Sequence, residues 1–183
     1  MEKLLIKRIM HHLHQTEFLN KNQCGFTPQK NTIESAMKVR RFIEPQLEKG
    51  RLVIMVSLDL RGAFDSAWWP AILKGLRDAK CPRNLYNLTL DYLKERKAVI
   101  NINNFNIEKR ITKGCPQGSC CGPGLWNIQY NPILNIRYTN TKVIAFADDL
   151  VLMVKAESIG EAGNFANIEQ NKIAEWATDN KIK

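Results

Sequence analysis

Three aspartates stand out against their surroundings. Asp59 interrupts the apolar, β-branched run Leu52-Val53-Ile54-Met55-Val56-Ser57-Leu58-Asp59-Leu60, and Asp148-Asp149 separates two β-prone runs, Lys142 to Ala147 and Leu150 to Lys155. Carboxylates crowded among apolar neighbours repel one another and resist desolvation, so a cation is the natural compensation. Hard oxygen ligands of this kind suit Mg²⁺, which is usually held by one or two protein carboxylates together with phosphate oxygens. Two such ions, about 3.5–4 Å apart, can activate a hydroxyl and stabilise a leaving pyrophosphate. Taken singly, each feature has a plainer reading. An Asp-Asp pair in a tight turn is ordinarily turn chemistry, and Asp59 alone could be a satisfied strand-end residue.

The elements that must position these carboxylates follow from pattern. The run 52–60 reads as a strand buried on both faces, and the acidic pair sits at the tip of a hairpin. Leu5, Ile9 and Leu13 repeat at helical spacing, so roughly the first fourteen residues form an amphipathic helix. Asn31 with Glu34 offers a capping-box start for a second helix, whose buried stripe is Ile33, Met37, Ile43 and Leu47 and which Gly50 ends. Asp65 or Ser66 caps a helix that begins near Pro70 and stops before Cys81-Pro82, and another runs from about Asn84 to Arg96. Ala98 to Asn103 and Phe105 to Ile111 form a hairpin closed at Asn103-Asn104. Gly114-Cys115-Pro116-Gln117-Gly118-Ser119 is a loop that tolerates close backbone approach and leads into a helix carrying Trp126 and Ile128. From Ser158 onward a helical pattern includes Phe165, Ile168, Ile173 and Trp176.

Composition sets the outer limits. The 183 residues, 44% hydrophobic and 25% charged, supply one soluble globular core, and no apolar run or N-terminal segment suits a bilayer or a secretory signal. Lys plus Arg number 27 against 18 Asp plus Glu, a net charge of +9 dispersed along the chain, which fits a folded groove tracking a polyanion. The five cysteines lack a paired C-x-x-C ladder, which argues against a disulfide framework or a structural zinc site and fits a reducing compartment. His11, His12 and His14 read as a solvated helix end.

The ordered motifs resemble those of a known family. Val56-Ser57-Leu58-Asp59-Leu60-Arg61-Gly62-Ala63-Phe64-Asp65 looks like the first palm motif of reverse transcriptases, Gly114 to Ser119 like their P-Q-G motif, and Ala145-Phe146-Ala147-Asp148-Asp149 like the Y-x-D-D hairpin. Gln23-Cys24-Gly25-Phe26 resembles the Q-x-G-F fingers motif of non-LTR (LINE-type) retrotransposons. The Trp68-Trp69-Pro70 sequel is similar to the type-1 elements that insert into ribosomal RNA genes.

The resemblance implies an α/β (α+β) reverse transcriptase palm with partial fingers, an antiparallel sheet packed on helices and no thumb. Residues 1–50 would be partial fingers and 51–183 mostly palm, truncated at both ends. The implied activity is RNA-directed DNA synthesis by two-metal nucleotidyl transfer onto a primer 3′-hydroxyl; the alternative is an inactive, truncated element copy that at most binds nucleic acid. Asp59, Asp148 and Asp149 would be catalytic and, with the Leu60 carbonyl, would hold two Mg²⁺ ions, with Mn²⁺ as substitute. Leu60, Arg61, Gly62, Ala63, Phe64, Gln117 and Gly118 would bind the nucleotide, Phe64 by excluding a ribose 2′-hydroxyl or, equally, by core packing alone. Phe146 replaces the family's usual tyrosine and keeps the ring. The implied partners are an RNA template, a DNA primer, deoxynucleoside triphosphates and covalently linked endonuclease and thumb regions, with no membrane. The implied location is intracellular, the nucleus or a cytoplasmic ribonucleoprotein.

Overall fold

A computed structural model describes residues 1–102, 105–116 and 118–182, so the expected turn at Asn103-Asn104 and Gln117 lie outside the described residues. In chain order the elements are α1 (Glu2–Gln15), α2 (Thr32–Leu47), β1 (Leu52–Leu58), α3 (Ala63–Ser66), α4 (Trp69–Asp78), α5 (Arg83–Leu93), β2 (Lys97–Ile102), β3 (Phe105–Arg110), α6 (Gly122–Leu134), β4 (Thr141–Phe146), β5 (Asp149–Ala156) and α7 (Ile159–Asp179). They fall into two compact units, each made of two stretches of chain: Met1–Phe18 with Phe64–Gln129, and Leu19–Ala63 with Tyr130–Lys183.

The second unit is built on an antiparallel sheet in the order β1-β5-β4. Central β5 is hydrogen-bonded on both sides, and Leu150, Leu152 and Val154 alternate onto a fully buried face together with Val143 and Ala145 of β4. Helix α7 packs along β5 and β1, starting at Ser158, whose hydroxyl accepts the Glu161 N–H. The opposite face is half-open. Ile144 and Met153 meet Cys24 and the partly buried Val39, Phe42 and Ile43 there, whereas Met55 is 57% exposed.

The first unit packs α1, α4 and α5 through Ile9, Leu13, Ile72, Leu76 and Leu93, all buried. Helix α6 starts in this unit with Leu125, Trp126 and Ile128 buried, and Gly75 of α4 meets Ile128. Among the described residues, strands β2 and β3 pair with each other alone and are exposed along their length.

Several expectations need correction. β1 is an edge strand, exposed or half-buried throughout, because it pairs only with β5; the doubly buried strand is β5. The Asn31 cap is in place, its side chain accepting the Glu34 N–H at 2.9 Å. The helix it starts, however, turns Val39, Phe42 and Ile43 inward and leaves Ile33 69% exposed, with Met37 and Leu47 also exposed. Neither Asp65 nor Ser66 caps α4; both lie in the short α3, and Trp68 precedes α4 with proline in its first turn. His12 is not merely solvated, since its Nε2 lies 2.9 Å from the Ala79 carbonyl. Ile168 is exposed on α7.

A Cβ at Gly75 would lie 2.6 Å from the Ile128 Cγ2 methyl, which χ1 of a β-branched residue holds in place. Gly75→Ala gains up to about 1 kcal/mol of helix propensity, but overpacking costs about 1–3 kcal/mol, so the clash outweighs the gain. We expect a lower urea midpoint at unchanged m-value; a midpoint equal to or above that of the parent would show that Ile128 moves aside.

Candidate active site

The register of β1 and β5 places the acidic residues. Leu58 is the last residue of β1 and faces Leu150, so Asp59 emerges one step further, level with Asp149, the first residue of β5. Asp149 in turn pairs with Phe146, which leaves Ala147 and Asp148 as the two-residue hairpin turn. The acidic pair is therefore divided: Asp148 is in the turn and Asp149 opens the strand, where both had been expected at the tip. Asp59 and Asp149 are exposed and Asp148 half-buried, so these carboxylates are not desolvated as the apolar sequence around them suggests. The strands end here and water reaches them.

The turn is held from two directions. Ala147 has φ +60°, a left-handed conformation that costs an L-residue energy. Tyr130, from the end of α6, donates its hydroxyl to the Asp148 carbonyl at 3.3 Å and stacks edge-on against Trp176 at 5.7 Å. Burial, reinforced by the Asp148 charge, pushes the Tyr130 phenol well above its ordinary value, so it stays a donor at any physiological pH. On the other side, residues 22–24 pair with β4: the Cys24 N–H donates to the Ala145 carbonyl at 2.8 Å, and the Ala145 N–H to the Asn22 carbonyl at 3.0 Å.

Leu60 is half-buried, Arg61 and Gly62 are exposed in the turn after Asp59, with Gly62 at φ +59°, and Ala63 is buried. Phe64, in the first unit, lies 6.0 Å from the Trp126 ring, so the packing half of its expected role is visible. Its carbonyl accepts the Cys115 N–H at 2.8 Å, while the Gly114 N–H donates to Ala67 at 2.7 Å and Trp69 Nε1 donates to Gly114 at 2.9 Å. The Pro116-Gly118 loop is thus tied down at its start. Gly114 has φ +92°, and a Cβ there would come within 3.1 Å of the Asp65 carbonyl, which accounts for glycine at that position. Gly118 is exposed at φ +81°. Burial pushes the Cys115 and Cys121 thiols up to about 11 and about 12, so both are packing residues with no nucleophilic role at neutral pH.

Among the described residues, no three His, Cys, Asp or Glu side chains converge into a ready-made metal cage. The donor set instead fits Mg²⁺, an ion that takes only one or two protein carboxylates and completes its shell with phosphate oxygens and water. Two features escaped the sequence reading. Tyr130 looks like one more core residue of α6, and its bond to Asp148 has no local signature. Arg96, Lys97, Lys109, Arg110 and Lys113 line one cleft with Pro116; only the hairpin register, which sets Lys97 opposite Arg110, gathers these charges.

An antiparallel sheet with Asp148 in a hairpin turn and Asp149 opening its central strand, beside Asp59 just past the end of the neighbouring strand, is the arrangement of a polymerase palm of the reverse-transcriptase type. Over residues 1–183 the chain matches the family model "Reverse transcriptase (RNA-dependent DNA polymerase)" and belongs to that family. It is 26% identical over 190 residues to the RNA-directed DNA polymerase from mobile element jockey of Drosophila melanogaster, an alignment covering 100% of this chain and 21% of the relative. It is 31% identical over 159 residues to the Pol polyprotein from type-1 retrotransposable element R1 of Bradysia coprophila, covering 86% of this chain and 15% of that one. The chain therefore spans about a fifth of the length of these relatives or less. Apo telomerase from Candida tropicalis superposes with a TM-score of 0.70 at 10% identity, over 93% of this chain and 33% of the other, a likeness of fold. The retrotransposon resemblance drawn from four motifs thus holds, as does the mixed α/β palm. Among the described residues no helix is long and apolar enough to cross a membrane.

The loop after Pro116 is also anchored by Glu2, which accepts hydrogen bonds from Ser119 and from Tyr92. Those bonds, the Ser119 one foremost, hold the Glu2 carboxyl below its ordinary 4.5. A lowered folded-state pKa contributes stability that is present above that ordinary value and lost as pH falls below it. We expect the melting-temperature advantage of the parent over Glu2→Gln, present at pH 7, to shrink on acidification towards pH 3. A gap that stays constant would rule out the anchor.

Proposed function

We propose that this chain carries out RNA-templated DNA synthesis, extending a primer 3′-hydroxyl with deoxynucleoside triphosphates. The observation that carries the reading is the β1–β5 register, which sets Asp59 level with Asp149 and one residue from the Asp148 turn. Asp59 and Asp148 are assigned as the principal ligands of two Mg²⁺ ions, which Mn²⁺ can replace, with Asp149 and the Leu60 carbonyl completing the set. When bound there, such ions would supply activation of the hydroxyl and neutralisation of charge on the phosphates. The protein residues orient. Arg61, Gly62 and Ala63 offer main-chain amides and a guanidinium to the triphosphate, Phe64 selects against a 2′-hydroxyl, and Gln117 and Gly118 are assigned contacts to the nucleotide and template. The Arg96, Lys97, Lys109, Arg110 and Lys113 cleft supplies phosphate contacts to nucleic acid. The chain covers about a fifth or less of relatives named as polymerases and polyproteins, which supports a larger polyprotein; to it we assign endonuclease and thumb regions and nuclear targets.

Primer extension on an RNA template tests this. The Asp148→Asn, Asp149→Asn double variant should lose synthesis by at least about a thousandfold, as expected when positioned charge at the reacting phosphate is removed, while keeping the parent's circular dichroism. Equal synthesis by parent and variant would refute the assignment, and salt-dependent binding without any synthesis by the parent would favour a non-catalytic nucleic-acid binder.

The cleft is tested separately. Replacing Lys109, Arg110 and Lys113 by alanine should flatten the slope of log affinity against log salt by roughly 2–3, at about 0.7–0.9 per lost phosphate contact. An unchanged slope would remove the cleft from the nucleic-acid path.

A further inference from the structure

The segment Gln23-Cys24-Gly25 has no role yet beyond its resemblance to a fingers motif, but it lies directly against the turn that carries Asp148. Gln23 is 2% exposed, a buried amide with both ends satisfied. Its Oε1 accepts the Gly25 N–H at 2.9 Å, which fixes which end of the amide faces inward, and its Nε2 then donates to the Ala147 carbonyl at 3.2 Å. Gly25 completes the contact. A Cβ on it would lie 1.9 Å from the Ala147 nitrogen and 2.6 Å from the Ala147 Cα, and both are backbone atoms that no rotamer change can clear. Such an approach is open to glycine alone. Ala147, the residue pressed upon, is itself in the left-handed region at φ +60°, which a non-glycine residue keeps only where its surroundings enforce it.

We propose that Gln23 and Gly25 are positioning residues for the acidic turn: the Gln23 amide and the bare Gly25 Cα hold Ala147 in its left-handed conformation and so set where Asp148 and Asp149 stand. The bridge between Gln23 and Ala145 gives the segment a fixed register on β4, so the support comes from a sheet edge and not from a mobile loop. In its consequence for metal binding, the inference rests on the carboxylate assignment above; in its claim about the backbone it does not.

The test uses the full chain in four variants and two readouts. Gln23→Met removes both side-chain bonds at nearly constant volume, Gln23→Met combined with Ala147→Gly adds a residue for which the left-handed region costs little, and Asp148→Asn controls for the carboxylate assignment. Amide hydrogen exchange at residues 147–150 is read by NMR, and Mn²⁺ affinity by titration. We expect Gln23→Met to speed exchange at the turn by about tenfold, the equivalent of losing one or two buried hydrogen bonds, with exchange in the middle of β5 unchanged and Mn²⁺ bound several-fold more weakly. The added glycine should restore much of both, which a general loss of packing would not do. Gly25→Ala should give the same local signature or fail to fold, and each result fits the clash. Unchanged exchange at 147–150 in Gln23→Met overturns the proposal, as does a uniform increase across the sheet that Ala147→Gly does not rescue. Mn²⁺ affinity retained in Asp148→Asn would instead overturn the carboxylate assignment, leaving exchange to decide the positioning role.

Discussion

The site depends on the pairing of β5 with a strand on each side. Because side chains alternate across a sheet, a slip of one residue would carry Leu150, Leu152 and Val154 to the half-open face. The register therefore cannot drift: Leu150, Leu152 and Val154 must stay inside. That same requirement fixes the ends of the strands, and the ends are where Asp59 and Asp149 stand. Hydrophobic burial along the eight residues of β5 thus does the aligning that the carboxylates, exposed and mutually repulsive, could not do for themselves.

Exposure also changes the energetic reading of the acidic cluster. Unit charges 4 Å apart repel by about 1 kcal/mol in water and by several times that where the effective dielectric is lower. Asp59 and Asp149 lie on the wet side of that comparison, so charge at these strand ends costs the fold little. The apolar surroundings expected from the sequence overstate the electrostatic pressure for a cation. What supports the proposed metal site is the chemistry of its donor set, hard oxygens at an open edge.

Much of the fold was legible because its signals are local. The Asn31-Glu34 cap, the helical pattern from Ser158 onward, the β-prone runs around Asp148-Asp149 and the β2–β3 pair all depend on residues within a few positions of each other, and each element formed close to its expected bounds. The errors share a different origin. The apolar run of β1 is compatible with a central or an edge strand, and only its single partner decides. Helix α2 carries two apolar stripes, and the one containing Val39 and Phe42 won because Ile144 and Met153 face it. Burial of a particular face is a property of the partner, which a single helix's periodicity does not encode. In the site, type and order of the aspartates were readable, whereas the supports of the turn were not, since Tyr130 and Gln23 reach it from 18 and 124 residues away.

That separation in sequence bears on how such a turn can be kept. A left-handed alanine costs on the order of 1–2 kcal/mol, comparable to one net hydrogen bond of about 0.5–1.5 kcal/mol, so no single bond holds it with a margin. Two carbonyls in succession are engaged instead, Ala147 by Gln23 and Asp148 by Tyr130, while Gly25 brings a second backbone hard against the same residue. Each support comes from an element anchored independently, one on the edge of β4 and one on a buried helix. Strain distributed in this way makes the turn stiffer than its own two residues would be, and stiffness is what a carboxylate needs if it is to meet a reacting phosphate without first being ordered.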